Sequence, residues 1–600
     1  MRSRNRAASR HATLTMDAPP VRLSEAESAE LPTDLHIQPG GGRLGEMLVE
    51  AGLATREQVV AALEEAQSGS GKRLGQLLVE LGTIDERDLA RVVATQQVLD
   101  VVDLRQITPD PAATMLMSEA MARAMTAIPM SVDGETVVIA VADPSASMLA
   151  SLQKIIGRPV TARVAAQSDI LRAIGIAYRA LSSVGNQVKA FEARDVVTRE
   201  ENRIEVIAAN EDAPVVQIVQ LMITQGLRDR ASDIHIEPQD DRIRVRYRID
   251  GALHDVLDLP GAMGPALVSR IKILGGMNIV ERRRAQDGQI SMDVEDRSVD
   301  IRVATTSVVG GEKVVLRLLD KSRPLFQIDQ LGMRDDMASK YSDLLRSPYG
   351  MMICAGPTGS GKTTTLYASL SEINSPERNI MTIEDPVEYK VRSINQIQIN
   401  EQAGITFAGG LKSILRQDPD VILVGEIRDV ETARIAVQSA LTGHFVLSSL
   451  HATDAVSALH RLLDMGIENF LVASSITGVL SQRLVRRVCD NCVERYEPPA
   501  EEMAFFRAMG GTVPDGGFVR GAGCNFCAHT GYLERIGVYE LMPVTDAIRD
   551  LILDRGSHDD IRKLARSEGM YTLQEEAVRL VETGVTNLAE VLRSIYVVGN

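Results

Sequence analysis

Apolar positions change their period several times along this 600-residue chain, and each change marks an element. Residues 1–42 carry Pro, Gly, Ser and charge without a period, the composition of a disordered tail. One pattern then occurs twice. Arg43-Leu44-Gly45-Glu46-Met47-Leu48-Val49-Glu50-Ala51-Gly52 returns thirty residues later as Arg73-Leu74-Gly75-Gln76-Leu77-Leu78-Val79-Glu80-Leu81-Gly82, and each copy runs into an amphipathic stretch, 55–66 and 85–97, that predicts a helix. Two copies are too few for a solenoid, so 43–100 is expected as a small helical module with pseudo-twofold symmetry. Residues 101–180 alternate short strands and helices, with 135–142 reading as a strand that ends at Asp143-Pro144. The polar stretch 181–204 reads as a linker. A second α/β unit, 205–325, contains the alternating strand Arg242–Ile249, apolar on one face and Arg-rich on the other. Such a face is usually solvated, and beside a nucleotide it would offer arginines to phosphates. In the last region, 326–600, the runs 351–355 and 421–424 are continuously apolar, as strands buried on both faces are.

The first of those runs leads into Gly356-Pro357-Thr358-Gly359-Ser360-Gly361-Lys362-Thr363, followed by Thr364, a full match to the phosphate-binding pattern G-x-x-x-x-G-K-[ST]. Glycines let successive N–H groups turn into one concavity, Lys362 brings a positive charge to the β- and γ-phosphates, and the Thr363 hydroxyl is the expected Mg²⁺ ligand. A strand before and a helix after argue against a chance match and for a nucleoside triphosphate site. Hydrolysis then needs acids that hold the metal and orient water. Thr382-Ile383-Glu384-Asp385-Pro386-Val387-Glu388 offers Glu384 and Glu388, and Val421–Val424 delivers Glu426 at a strand end, with Gly425 where an Asp is common. A lone acid after an apolar strand is more often a turn residue, but a phosphate loop upstream favours the catalytic reading. His444 and His451 lie in Thr442–His451; alone, such histidines are more often core or surface residues.

Length corresponds to about four domains, and 44% hydrophobic with 24% charged residues is ordinary for a globular protein. The net charge of −16, with no Trp and few other aromatics, speaks against nucleic acid as a partner. Neither a long apolar span nor a signal-peptide core follows the basic start Met1–Arg6, so the expected location is the cytoplasm, with membranes reached only through partners. Cys354 sits in an apolar run as a small core residue. The remaining cysteines form two C-x₂-C pairs, Cys489/Cys492 and Cys524/Cys527, which can supply four thiolates to a structural Zn²⁺. The rival, redox chemistry, lacks a thioredoxin-like βαβ context.

Taken together, these segments resemble the secretion ATPase family that powers type II secretion and type IV pilus assembly. The phosphate loop is similar to its Walker A, 382–388 to its Asp box, Leu415–Asp429 to its Walker B and 442–451 to its His box. Ala231–Pro238 and Arg246–Gly251 resemble its PAS-like N2 domain. The resemblance implies an α/β multidomain chain with a RecA-like core (326–600, including a four-cysteine zinc subdomain at 485–530) after an N2 domain (205–325). It further implies a homo-hexamer with ATP and Mg²⁺ between adjoining subunits. Glu426 would be the catalytic glutamate, Glu384 and Glu388 would place water and metal, and His444 and His451 would sense the γ-phosphate. Arg270 would be a finger reaching a neighbouring subunit, while His254 departs from the arginine expected at the other finger position. Residues 101–180 resemble the N1 domain, implying a membrane-anchored or actin-like docking partner, and an inner-membrane platform protein would be driven by the motor. The repeat resembles a tandem module that binds cyclic di-GMP; its second copy closes with Gln96, whereas the first has Ala66 there and Gln67 one place late. The module is thus either a cyclic di-GMP site or a helical dock without ligand. Beside the motor stands the alternative of a nucleotide-gated, cyclic di-GMP-sensing scaffold. Pilus retraction is disfavoured, because retraction members lack the cysteine subdomain, and a DNA-transfer ATPase finds no support in the charge.

Overall fold

The structure is a computed structural model that describes residues 44–65, 74–178, 184–195, 214–294, 297–320 and 326–595. The tail 1–42, with Arg43, Ala66, Gln67 and Arg73 of the repeat, lies outside the described residues. Each repeat is a short helix followed by a longer one: Leu44–Glu50 with Arg56–Glu65, then Leu74–Glu80 with Glu86–Gln97. The glycine of each copy lets the two helices touch. A Cβ on Gly45 would fall 2.7 Å from Val59, and one on Gly75 2.8 Å from Leu89.

The next unit is a small sheet of β1 (Ala127–Asp133), β2 (Thr136–Val141) and β3 (Val160–Val164) in that order, with β1 antiparallel and β3 parallel to β2. Helices Ala146–Ile156 and Gln167–Ala177 complete its core. The linker expectation for 181–204 is corrected in part: Val184–Asp195 is a helix. Its apolar residues Val184, Val188 and Phe191 recur at helical spacing and pack into the core of the following unit. That period was masked by the polar residues around it.

The second α/β unit is a six-stranded antiparallel sheet of β4 (Asp233–Pro238), β5 (Arg242–Ile249), β6 (Ala252–Pro260), β7 (Gln286–Val294), β8 (Arg297–Val308) and β9 (Gly311–Asp320), in the order β6-β5-β4-β9-β8-β7. Helices Pro214–Arg228 and Gly264–Leu274 share its apolar core. The Arg-rich face of β5 is paired within the chain. Glu237 accepts hydrogen bonds from Arg244 (3.1 Å), Arg246 (2.8 Å) and Lys313 (2.8 Å). Burial alone would raise the Glu237 carboxyl, but Arg246 and Lys313 override it and hold it at about 2.

In the last domain a seven-stranded sheet is built from β10 (Gly350–Ala355), β11 (Ile380–Glu384), β12 (Asn395–Gln398), β13 (Val421–Val424), β14 (Phe445–Leu450), β15 (Ile476–Val488) and β18 (Tyr532–Pro543). Its order is β12-β11-β13-β14-β10-β15-β18, parallel except for β18. The separate hairpin β16 (Val493–Tyr496) and β17 (Phe518–Gly521) lies between β15 and β18 in sequence. Alternate residues of β10 serve two cores: Met351, Ile353 and Ala355 enter one, Met352 and Cys354 the other. A central strand covered on both faces must be apolar throughout, which is why 351–355 reads as an unbroken run. The result is a RecA-like core, in which ligands collect at the C-terminal ends of the parallel strands.

Candidate functional site: a phosphate loop and three strand-end residues

The phosphate loop leaves β10 with Gly356 at φ 152°, and Gly359 and Gly361 adopt φ of 77° and 90°, values that L side chains resist. A Cβ on Gly356 would also lie 2.4 Å from Ser360 Oγ. The loop ends at the N-terminus of helix Lys362–Ile373, whose first turn exposes Thr363 and Thr364. Lys362 Nζ donates to the carbonyls of Gly356 (2.9 Å) and Pro357 (3.0 Å). Gln482 on neighbouring β15 braces the loop: its Nε2 donates to Ser360 O at 2.7 Å, and its Oε1 accepts from the Cys354 thiol. No local sequence signal marks Gln482, which lies more than a hundred residues downstream.

Strands β11, β13 and β14 bring Glu384, Glu426 and His451 to the same end of the sheet. Glu384 is buried and accepts from Tyr367 OH (2.5 Å), Thr382 Oγ1 (2.5 Å) and Gln396 Nε2 (3.2 Å). Tyr367 also receives the backbone N–H groups of Glu388 (3.2 Å) and Tyr389 (3.4 Å), so one phenol ties the helix after the loop to the acidic segment. Gly425 is explained by crowding. A Cβ there would lie 3.3 Å from both Glu384 Cα and Ile383 O, so an Asp at this position would press on the backbone of β11. Glu426 pairs with Arg428. Burial lowers the Lys362 ammonium while the nearby Glu426 carboxylate opposes that shift. Burial, then the Lys362 charge, lowers the His451 imidazole below its ordinary value, again against Glu426.

His444 is not brought to this end, and the expectation for it is corrected. It precedes β14, where its carbonyl accepts from Gly350 N at the start of β10 (3.1 Å). Strand β14 lies between it and His451, seven positions on, which puts them about 23 Å apart at ~3.3 Å per residue. Its Nδ1 contacts Ser439 O at 3.0 Å, a turn-stabilising arrangement. Two histidines seven positions apart look equivalent in sequence; a strand between them puts them on opposite edges.

Glu388 faces the antiparallel sheet. Arg302 of β8 donates to it at 3.2 Å across a cleft of ≈ 640 Å³ lined by Asp287, Asp300, Arg317 and Pro386 among others. Arg270 is half-buried on helix Gly264–Leu274 and His254 lies on β6; Arg302, which sequence reading missed, reaches the acidic segment within one chain.

At the far end of β15 the two cysteine pairs converge. Cys489, Cys524 and Cys527 are buried, and the four Sγ atoms lie within 4.8 Å of one another. Three separations are 3.9, 3.9 and 3.7 Å. A tetrahedron with Zn–S bonds of about 2.3 Å requires S···S of about 3.8 Å, so the quartet fits zinc. The same distances exclude a disulfide, whose S–S bond is about 2.05 Å. Backbone N–H groups of Cys524 (3.2 Å) and Gly531 (3.3 Å) point at Cys527 Sγ, as thiolate ligands favour.

The family model described as "Type II/IV secretion system protein" matches residues 208–593, and one described as "MshEN domain" matches 98–183, the β1–β3 unit rather than the thirty-residue repeat. The type IV pilus assembly ATPase PilB of Myxococcus xanthus is 39% identical over 560 residues, covering 92% of this chain and 98% of its own length. The type II secretion system protein HxcR of Pseudomonas aeruginosa is 48% identical over 389 residues, 65% of this chain and 79% of its own. Among solved structures, the Legionella pneumophila ATPase DotB aligns at 21% identity and a TM-score of 0.48, covering 62% of this chain and 94% of that one. With its phosphate loop, strand-end acids and cysteine quartet carried on this matched region, the chain belongs to the type II/IV secretion system protein family.

Proposed function

We propose that this chain is a Mg²⁺-dependent ATPase motor that drives type II secretion or type IV pilus assembly through an inner-membrane platform protein. The convergence of Lys362, Glu426, Glu384 and His451 at one end of a parallel sheet carries the reading, and relatives named for both machines support it. Bound Mg²⁺, with Thr363 as its protein ligand, would neutralise charge on the phosphates. Glu426 orients the attacking water and takes its proton. Glu384, fixed by three donors, is a positioning residue that keeps the acidic segment in register with the phosphate-loop helix. His451, its imidazole lowered by burial and by the Lys362 charge, donates a hydrogen bond to the γ-phosphate. Glu388, paired with Arg302, couples nucleotide to the antiparallel domain. Arg270 completes the site of the adjoining subunit in a hexameric ring. The cysteine quartet binds a structural Zn²⁺, and the N-terminal repeat is a candidate cyclic di-GMP sensor. No helix among the described residues is long and apolar enough to cross a membrane. In this reading the motor works from the cytoplasm and meets the membrane through its partners.

Gene deletion, complemented with wild type or Lys362→Ala, tests this when surface pili and the secreted proteome are scored together. Loss of pili restored by wild type alone identifies an extension motor; loss of secreted proteins alone identifies a type II motor. Rescue by Lys362→Ala would overturn the ATP-driven reading in favour of a nucleotide-gated scaffold.

A further inference from the structure

The cysteine quartet does more than close a loop: the residues between its cysteines face another part of the chain. In Cys489-Asp490-Asn491-Cys492, the Asn491 side-chain oxygen accepts from Arg87 (2.5 Å) and its backbone carbonyl from Arg105 (3.2 Å), while its Nδ2 points at Cys489 Sγ (3.7 Å). In Cys524-Asn525-Phe526-Cys527, Asn525 N donates to Arg105 O (3.2 Å), its Nδ2 donates to Leu104 O (3.3 Å), and its Oδ1 accepts from Thr108 (3.2 Å). Phe526 packs into the core of the β1–β3 unit with the Arg172 guanidinium 5.7 Å from its ring centre. The opposing arginines are themselves held: Arg105 by Asp103 (2.8 and 2.6 Å), and Arg87 by Asp169 (2.9 and 3.1 Å). Arg87 thereby joins three parts, because it belongs to the second repeat, pairs with the helix Gln167–Ala177 and contacts the knuckle.

The knuckle is also mechanically placed. Strand β15 passes the phosphate loop at Gln482 and continues to Val488, paired with β18 down to Val488↔Tyr532. The cysteines therefore sit at the tip of a two-stranded ribbon whose base braces the loop, about 23 Å away over seven residues at ~3.3 Å each. Both turns that meet the N-terminal unit are C-x₂-C turns, and four sulfurs converging on one ion would fix their shape. Backbone hydrogen bonds from Cys489 N to Gly531 O (2.9 Å) and from Ala522 N to Cys492 O (2.8 Å) join the two turns, and a bound metal would tighten that frame around Asn491, Asn525 and Phe526.

We propose that the cysteine quartet is a metal-organised docking surface that fixes the N-terminal unit, 74–178, onto the ATPase ribbon of the same chain, so that metal occupancy controls the position of that unit. The metal arm of this proposal rests on the zinc assignment above; the docking arm does not. A knuckle that served only to stabilise its own loop would leave its polar turn atoms to water, whereas here five separate hydrogen bonds join them to residues 87–108.

Hydrogen–deuterium exchange of the full-length protein, with zinc content measured on the same samples, tests both arms. The variants are Phe526→Ser on the knuckle, and Arg105→Ala and Thr108→Val together on the opposing face, which leave the cysteines untouched. The expected result is about one zinc per chain in every sample, with exchange in peptides covering 99–110 and 167–178 faster by about tenfold in both variants and unchanged in 350–480. Stripping zinc from wild type with a chelator should open 99–110 to the same extent. Exchange in 99–110 that stays at the wild-type rate in both variants would overturn the docking. Variants that open 99–110 while chelation does not, or a wild type that holds no zinc, would overturn control by metal.

Discussion

Tyr367 OH lies 2.5 Å from Glu384 Oε2 and accepts from the backbone of Glu388 and Tyr389, so a single side chain on the phosphate-loop helix touches both ends of the acidic segment. Tyr367→Phe removes the donor and leaves a buried carboxylate one partner short, a loss of about 1–3 kcal/mol. The expected outcome is ATP affinity close to wild type, kcat lowered by about tenfold or more, and a reduced melting temperature. Steady-state kinetics with calorimetric ATP binding check it; kcat equal to wild type would show that the phenol only packs.

Gly425 is read as a steric requirement. Gly425→Asp, which introduces the acid common at this position, should destabilise the domain by about 1–3 kcal/mol through its contact with Glu384 and Ile383. It should not raise ATP turnover. Urea denaturation of the two proteins measures the difference.

The Glu237 cluster predicts a pH signature. Its folded-state carboxyl stands at about 2 against an ordinary 4.5, so its contribution to stability is complete above about 4.5 and is lost as pH falls toward 2. Glu237→Gln should therefore be less stable than wild type at pH 7, with the gap narrowing through that window. Denaturant midpoints at pH 7 and at successively lower pH report it; a gap independent of pH would mean that Glu237 contributes through packing rather than charge.

For the cysteine quartet, Cys489→Ser removes a buried thiol of the proposed zinc site. Zinc content should fall to near zero and the apparent melting temperature should drop by about 5 °C or more. Metal analysis and a thermal scan of the same preparation are sufficient.

Much of this architecture was legible in the chain. The apolar run before Gly356 is the signature of a strand sandwiched between two cores, and β10 has alternate residues in each. Glu384 and Glu426 were recognisable because a short apolar strand in a parallel sheet can only deliver its next residue to the ligand-binding edge. What escaped were partners contributed by distant elements. Gln482, Arg302 and Tyr367 have nothing in their own neighbourhoods to mark them, since only the register of β15, β8 and the phosphate-loop helix brings them to the loop and the acids. His444 failed for a related reason: proximity in sequence to His451 hides the length of the strand between them. The helix Val184–Asp195 was lost among polar neighbours, although Val184, Val188 and Phe191 carried the period. Asn491 and Asn525 carry no mark of their own between the cysteines, and the fold turns them toward residues 87–108.

That Glu426 performs the water-activating step of an ATPase is tested most directly by Glu426→Gln. The variant keeps the size of the side chain and its place at the end of β13 while removing the base. ATP binding measured by calorimetry and phosphate release measured on the same protein should give an affinity within a few-fold of wild type and a kcat lowered by about 10²-fold or more. Turnover near the wild-type rate with binding intact would contradict the assignment.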